Sequence, residues 1–496
     1  MRRTPRVLPC PLRLPRRWLG VHWLVLLLGP GCGARMPAAT PSGATAAAEL
    51  EDFAAFVEAV HPDPLRFVTR DDFAQVVARE AERLRSYPEP TELQVGVAFQ
   101  RVAASLHDSH VAVAQPAYQL DREVSFVPLL IDSVEGELLV DASSLNDGEL
   151  PLGTALEAID GHDAAAIRAA IGPLVIFEGT NDAARERVLS ADFVPLFHLA
   201  FGMRPSYTLR LRLPDGGVME LVDVPGVGRD ALTALGAQRR SHVMRGRAAD
   251  GAVLPSVYVL DDGTRVVRLP SFGVADTAAF DARLDQVIAE LMDAERVVLD
   301  LRGNAGGYRT FGVALLNHLV DAPYTQWQRT AVRVRRIPQP FRERVMPLFG
   351  ASLDLLRTYP AEAVNELHVR EGDPLTALMT PASPRLPASL AVFVDGHTNS
   401  AANELLLALR AARPDAVIVG EEAGGECERH VGELPVAYVT PVYGVAVAMS
   451  LIRIEHVVVP GCTLGHGLGP DVPVSYTRAD FVTGQDPYVA ALDMVW

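Results

Sequence analysis

Apolar residues along the chain fall into three successive rhythms. In residues 47–115, Leu50, Phe53, Phe56, Val57 and Val60 recur at helical spacing, as do Phe73, Val76, Val77, Ala81 and Leu84. Asp71 or Asp72 is placed to cap the second of these helices, and Thr91 a third running through Val95, Val97 and Phe99 to Leu106. The pattern predicts a compact helical cap. From Val124 to about Val227 it changes to short alternating runs such as Glu135–Asp141, interrupted by a helical hairpin around 163–200. From about Val257 strand and helix alternate. Strands are expected at Arg265–Leu269, Arg296–Leu301, Ser389–Val394 and Ala416–Val419, and helices at Asp276–Met292, Thr310–Leu319 and Ser400–Ala412. Buried runs separated by ten-residue helices predict an α/β layer. A segment rich in Arg and Pro at about 321–387 interrupts it, and strands at Glu433–Thr440 and Val445–Ile454 close it.

The first residues follow none of these rhythms. Residues 1–31 carry six Arg and no acid, then an apolar run from Trp18 to Leu28, then Gly-Pro-Gly-Cys. A basic stretch, a short apolar stretch and small residues beyond it read as an export signal. The apolar run falls short of the ~20 residues a membrane-spanning helix needs. Cys32 is a candidate lipid-attachment cysteine, with plain cleavage near Ala34–Ala39 as the alternative. The expected organisation is a signal peptide at 1–31, a tether at 32–48, the helical cap at 49–116, a β-rich region with its hairpin at 117–250, and a catalytic α/β domain at 251–496. Such a protein is exported, either to the cell envelope or as a freely secreted chain.

Composition removes several functions. Acids (61) outnumber bases (45), giving a net charge of −16. A nucleic-acid groove or a polybasic membrane patch is therefore excluded, and the membrane is reached only through a lipid anchor at Cys32. All basic side chains other than His are Arg; the chain has no Lys. Lysine Schiff bases, P-loops and Ser–Lys dyads are excluded with it. Beyond the leader only Cys427 and Cys462 remain, free either to pair in an oxidising compartment or to stay as small buried thiols.

Two segments carry chemistry. In Val297–Gly307 a buried strand ends in Asp300 and Arg302 and runs into a glycine turn. Gly306 and Gly307 allow a backbone NH to face a cavity that a Cβ would block, as an oxyanion site requires. In Val392–Leu406 a strand exits into a polar turn, and Ser400 sits where a helix begins. There a hydroxyl feels the positive end of the helix dipole and the Ala401 NH is aimed at the same place, although a plain N-cap serine fits equally well. No Gly-x-Ser-x-Gly elbow occurs, and no His-Glu-x-x-His or zinc-like spacing of His and Cys. No metal or other cofactor is expected.

Together, in this order and about a hundred residues apart, these segments resemble the S41 family of serine peptidases, which includes tail-specific processing peptidases and tricorn core peptidases. The matching stretches are Asp300–Gly307, Thr398–Asn403, Gly420–Gly425 and Gly467–Asp471, with Asp480–Asp486 similar to the family's terminal segment. Asn403 stands where the family has Glu, and Glu404 follows it. The resemblance implies a crotonase/ClpP-like α/β fold. Gly153–His162 resembles the turn of PDZ domains, which implies a PDZ-like middle region. Processing peptidases place a Lys base after the Gly-Glu segment; this chain reads Gly425-Glu-Cys-Glu there. Arg stays protonated and cannot replace it, so His is the first candidate. Ser105–Val111 resembles the turn that carries the base His in the tricorn-like branch, which puts forward His110 as base with Ser109 as its auxiliary hydroxyl. His107, His397, His430 and His466 are the rivals. Leu464 occupies the place of the branch's orienting acid, leaving Glu421 and Glu422 as candidates.

The expected activity is hydrolysis of peptide bonds in a peptide or protein substrate, through an acyl-enzyme at Ser400. Gly306 or Gly307 would join Ala401 in holding the oxyanion. A non-catalytic envelope binding protein on the same fold, or an esterase, are the alternatives.

Overall fold

The computed structural model describes residues 41–114, 125–145, 150–241, 254–371, 377–386 and 389–496. The expected leader, Cys32 and most of the tether lie outside them. The tether's last residues do not: a helix already runs over Gly43–Val60, capped by the Ser42 hydroxyl. Three consecutive alanines, Ala46–Ala48, favour helix over linker. Helices Arg70–Arg85 and Glu92–Ala104 complete the cap. Thr69, not Asp71 or Asp72, caps the second; its Oγ1 accepts the Asp72 NH at 3.1 Å, and the two Asp sit in the first turn where the helix dipole favours them. Thr91 caps the third in a reciprocal pair with Gln94.

The cap lies on an antiparallel sheet. Its long central strands, Arg429–Val439 and Ala446–His456, pair with each other, and Ala112–Val113, the chain's exit from the cap, pairs with the second of them. The expected insertion is part of this sheet, supplying the edge strands Val345–Pro347 and His368–Arg370 and, inside the latter, Trp327–Val332. Phe53, Phe56, Phe99, Tyr438 and Met449 form one buried cluster between cap and sheet. Phe56 stacks on Tyr438 with ring centroids 4.7 Å apart.

A second sheet is the α/β layer. Strands Val472–Pro473, Val417–Gly420, Ser389–Val394, Arg296–Asp300 and Arg265–Arg268 run parallel in that order, with Ser256–Val259 antiparallel at the edge. Their near-continuous apolar runs are buried on both faces, as the parallel arrangement demands. Helices Thr277–Glu290, Arg309–Leu319 and Ala401–Ala412 pack on one face through Phe280, Phe311, Leu315 and Leu405. The middle region is a third, antiparallel sheet of Leu129–Val134, Glu137–Ser143, Ala155–Ile159, Ser206–Arg212 and Val218–Pro225. The expected hairpin appears as helices Ala164–Ile171 and Asp182–Phe201, the latter kinked at Asp192 just before Pro195. Among the described residues, no helix is long and apolar enough to cross a membrane.

Candidate active site

The site lies where the cap's exit, the parallel sheet's carboxyl end and the antiparallel sheet converge. Strand Ser389–Val394 ends in a polar turn that the neighbouring turn holds by hydrogen bonds. Asp395 accepts the Gly303 and His397 NH groups at 3.0 Å, and the Asn399 NH reaches the Asn304 carbonyl at 3.1 Å. Burial, with Glu421 nearby, pushes the Asp395 carboxyl up to about 6. Ser400 then adopts φ 50°, ψ −127°, a strained conformation for a residue with a side chain, and the helix Ala401–Ala412 begins. Its hydroxyl does not cap that helix. It faces His110, with His110 Nε2 3.2 Å from Ser400 Oγ across a sequence distance of 290 residues.

Gly306, at φ 95°, backs Ser400. A Cβ there would stand 2.6 Å from Ser400 Cβ and 2.8 Å from the Ala401 nitrogen. The Gly306 NH is already used, donating to Asn304 Oδ1 at 2.9 Å. Of the two glycines, Gly307 is the exposed one, and a side chain there would overlap the Phe272–Gly273 peptide. Its NH and that of Ala401, in the first turn of the helix, are the donors left for an incoming oxygen.

His110 sits two residues before strand Ala112–Val113, on a turn entered through His107 at φ 52°. Its Nδ1 is 3.3 Å from Ser109 Oγ. Ser109 donates that hydroxyl to Glu178 Oε2 at 2.6 Å and its NH to the same oxygen at 3.0 Å, and accepts from Asn399 Nδ2 at 3.0 Å. With its one hydrogen given to Glu178, the hydroxyl meets His110 as an acceptor. The ring proton therefore belongs on Nδ1, and the Nε2 lone pair points at Ser400. Asp108 Oδ1 accepts the His110 NH at 2.8 Å, and Asp108 Oδ2 lies 2.9 Å from His61 Nε2. Burial, with the Asp108 carboxylate beside it, pushes Glu178 up to about 8. Burial works against charge on Asp108 as well, yet the hydrogen bond from His61 and the two imidazoles hold it below the usual carboxylate range.

The remaining candidates are placed elsewhere. Glu421 is paired with Arg187, and Glu422 accepts from the Gly467 NH at 2.8 Å and lies 3.2 Å from His466 Nδ1; neither is beside His110. Carboxylates from the middle region and the cap turn, Glu178 and Asp108, stand there instead. His107 turns its ring edge-on to Phe177, and His397 is buried within its turn. His430 stacks on His110 with centroids 5.0 Å apart, backed by His456, and its Nε2 lies 3.3 Å from Glu404. Glu404 and Glu433 hold Arg309, whose guanidinium lies over Trp327. Asn403 instead turns its amide to the Glu426 carbonyl at 3.0 Å. Cys427 and Cys462 form a disulfide. One ligand atom each from Asp108, His110 and Glu178 fall within 4.8 Å of one another, but both carboxyls are already engaged by hydrogen bonds from the Ser109–His110 turn.

Residues 264–429, which include both turns, match the model of Peptidase family S41. The chain thus carries a segment similar to peptidase family S41. It is a serine-type peptidase of α/β architecture. Among solved structures, mature CPAF matches this chain with a TM-score of 0.63 at 17% identity, over 91% of this chain and 96% of that one. Mature CPAF complexed with lactacystin matches with a TM-score of 0.63 at 16% identity, over 91% and 97%. At such identity the likeness is one of fold. No curated protein matches the sequence.

Proposed function

We propose that this chain cleaves peptide bonds through an acyl-enzyme at Ser400, with His110 as general base, in the manner of the tricorn-like branch. The approach of His110 Nε2 to 3.2 Å from Ser400 Oγ carries the reading. Ser400 Oγ attacks the scissile carbonyl as its proton passes to Nε2. The oxyanion is met by the Gly307 and Ala401 NH groups and the positive end of the Ala401–Ala412 helix. His110 then gives the proton to the leaving amine, and water, deprotonated by the same nitrogen, releases the acyl group. Ser109 holds the imidazole in the tautomer this requires, and Glu178 fixes Ser109. With no Lys in the chain, the imidazole is the base in reach. The Cys427–Cys462 disulfide supports export, since such bonds persist in oxidising compartments. The middle sheet, with its turn Asp160-Gly161 before helix Ala164–Ile171, supports a PDZ-like role in presenting an extended peptide.

Turnover of unfolded casein by the purified chain tests the reading. Ser400→Ala and His110→Ala should each lower the rate by a factor on the order of 10⁴ or more without lowering the melting temperature. A folded Ser400→Ala variant that still cleaves at the wild-type rate rules the proposal out.

A further inference from the structure

The cap loop that follows the first helix reaches the site from behind. His61 and Asp108 are both buried, and His61 Nε2 lies 2.9 Å from Asp108 Oδ2. The Asp63 NH donates to His61 Nδ1 at 3.1 Å, so the proton of the neutral ring sits on Nε2 and is given to the carboxylate. Asp108 Oδ1 receives the His110 NH at 2.8 Å and lies 3.9 Å from His110 Nδ1. The loop is fastened in turn. Arg333 Nε donates to the His61 carbonyl at 2.8 Å and Arg429 Nε to Asp63 at 2.7 Å. Arg66 reaches Glu426 at 2.7 Å and the Arg429 carbonyl at 2.6 Å.

Resting on the reading of His110 as base, we infer that His61 is a positioning residue of the hydrolytic site: its Nε2–H fixes Asp108, whose carboxylate supplies the negative charge facing the His110 imidazolium. Two buried carboxyls flank the Ser109–His110 turn, and they do different work. Glu178, neutral until about pH 8, serves as the acceptor that orients Ser109. Asp108, held ionised by His61, is the counter-charge. Neither His61 nor Asp108 gives up or takes a proton in the cycle; the proton travels from Ser400 Oγ to His110 Nε2 and on to the leaving amine.

Other groups also face this pair. Ser109 and Glu178 lie on one side of His110 and His430 on the other, with His456, Glu404 and Arg309 behind His430. Arg66 acts on Glu178 from the cap loop, and His107 precedes Asp108 in the turn. The variants below leave all of them in place.

The test is the rate of fluorophosphonate labelling at Ser400 against pH, for the full chain and for His61→Gln, His61→Leu and Asp108→Asn. Removing an opposite charge about 4 Å away, as Asp108→Asn does, makes an imidazole harder to protonate, and His61→Leu acts the same way by taking from the buried Asp108 the donor that keeps it ionised. His61→Leu and Asp108→Asn should therefore label at least ~10-fold more slowly at pH 7.5, with the acid limb moved down by about one pH unit or more. His61→Gln, whose amide still donates to Asp108, should keep the wild-type limb. A role limited to packing would slow labelling without moving the limb. An unmoved limb in the Leu and Asn variants overturns the inference, and so does a His61→Gln variant that behaves like His61→Leu. Wild-type protein that is folded yet unlabelled at Ser400 defeats the hydrolase reading itself, a different result from any of these.

Discussion

Single atoms decide much at this site. Alanine at Gly306 would place a methyl carbon 2.6 Å from Ser400 Cβ, on a backbone at φ 95° that side chains resist. Gly306→Ala should abolish labelling of Ser400. Gly444→Ala, also at positive φ but with open space around it, should cost only about 1–2 kcal/mol of stability in a denaturant titration and leave labelling intact. Glu178 offers a finer test. Its carboxyl is raised from 4.5 in an unfolded chain to about 8 in the folded one. A group raised in this way contributes stability that is fully present below pH 4.5 and lost as pH rises through 8. Glu178→Gln removes that loss while keeping an acceptor for Ser109. Between pH 5 and 8 the melting temperature of the wild type should fall relative to that of the variant, with no further divergence above pH 8, and the variant should keep activity within a few-fold at pH 7. Parallel melting curves would contradict this. Beyond the Asp-Ser-His turn, His61-Pro-Asp-Pro resembles the family's cap only loosely, and neither the role of His61 nor Glu178 was legible in the sequence. Glu178 is a lone acid 69 residues from Ser109, and His61 is 47 residues from Asp108. Only the folded chain brings them together.

Elements were more readable than partners, because apolar spacing is a local property. The four strands and three helices expected of the α/β layer fall within one or two residues of their places, since buried parallel strands and amphipathic helices differ in period; its edge strands Ser256–Val259 and Val472–Pro473 were not foreseen. The reading failed where a local signal was ambiguous. Ala46–Ala48 in a stretch with Pro and Ser reads as tether or as helix, and the Ser42 cap decides it. The Arg- and Pro-rich segment looks like an insertion, yet two of its short strands join the sheet by pairing with strands about a hundred residues away. The disulfide belongs to this scale too. It ties Cys427 to a loop in which the Gly465 carbonyl accepts the Thr180 NH at 2.8 Å, two residues beyond Glu178. Closing a loop of 35 residues contributes about 3–4 kcal/mol on the chain-entropy account. Cys427→Ser with Cys462→Ser should lower stability by about that amount and slow labelling of Ser400, as reductant should. Unchanged melting after reduction, with free thiols verified, would contradict it.

At the scale of the molecule, the three parts of the site ride on different regions of the structure. Ser400 belongs to the parallel sheet, His110 to the exit from the helical cap, and Glu178 to the middle region. The cap's seat on the antiparallel sheet is therefore a condition of activity. Phe56→Ala, which removes the ring stacked on Tyr438, should cost about 3–5 kcal/mol in chemical denaturation and lower activity through the seat of His110. The family was legible from two turns and their order, because that chemistry is written in contiguous residues. The acid was not, because it comes from a region whose sequence carries no motif for it. The most direct test is mass-spectrometric mapping of the fluorophosphonate adduct on the intact chain. A single adduct on the peptide containing Ser400, absent in His110→Ala, is the expected result; an adduct on another serine, or equal labelling without His110, would contradict it.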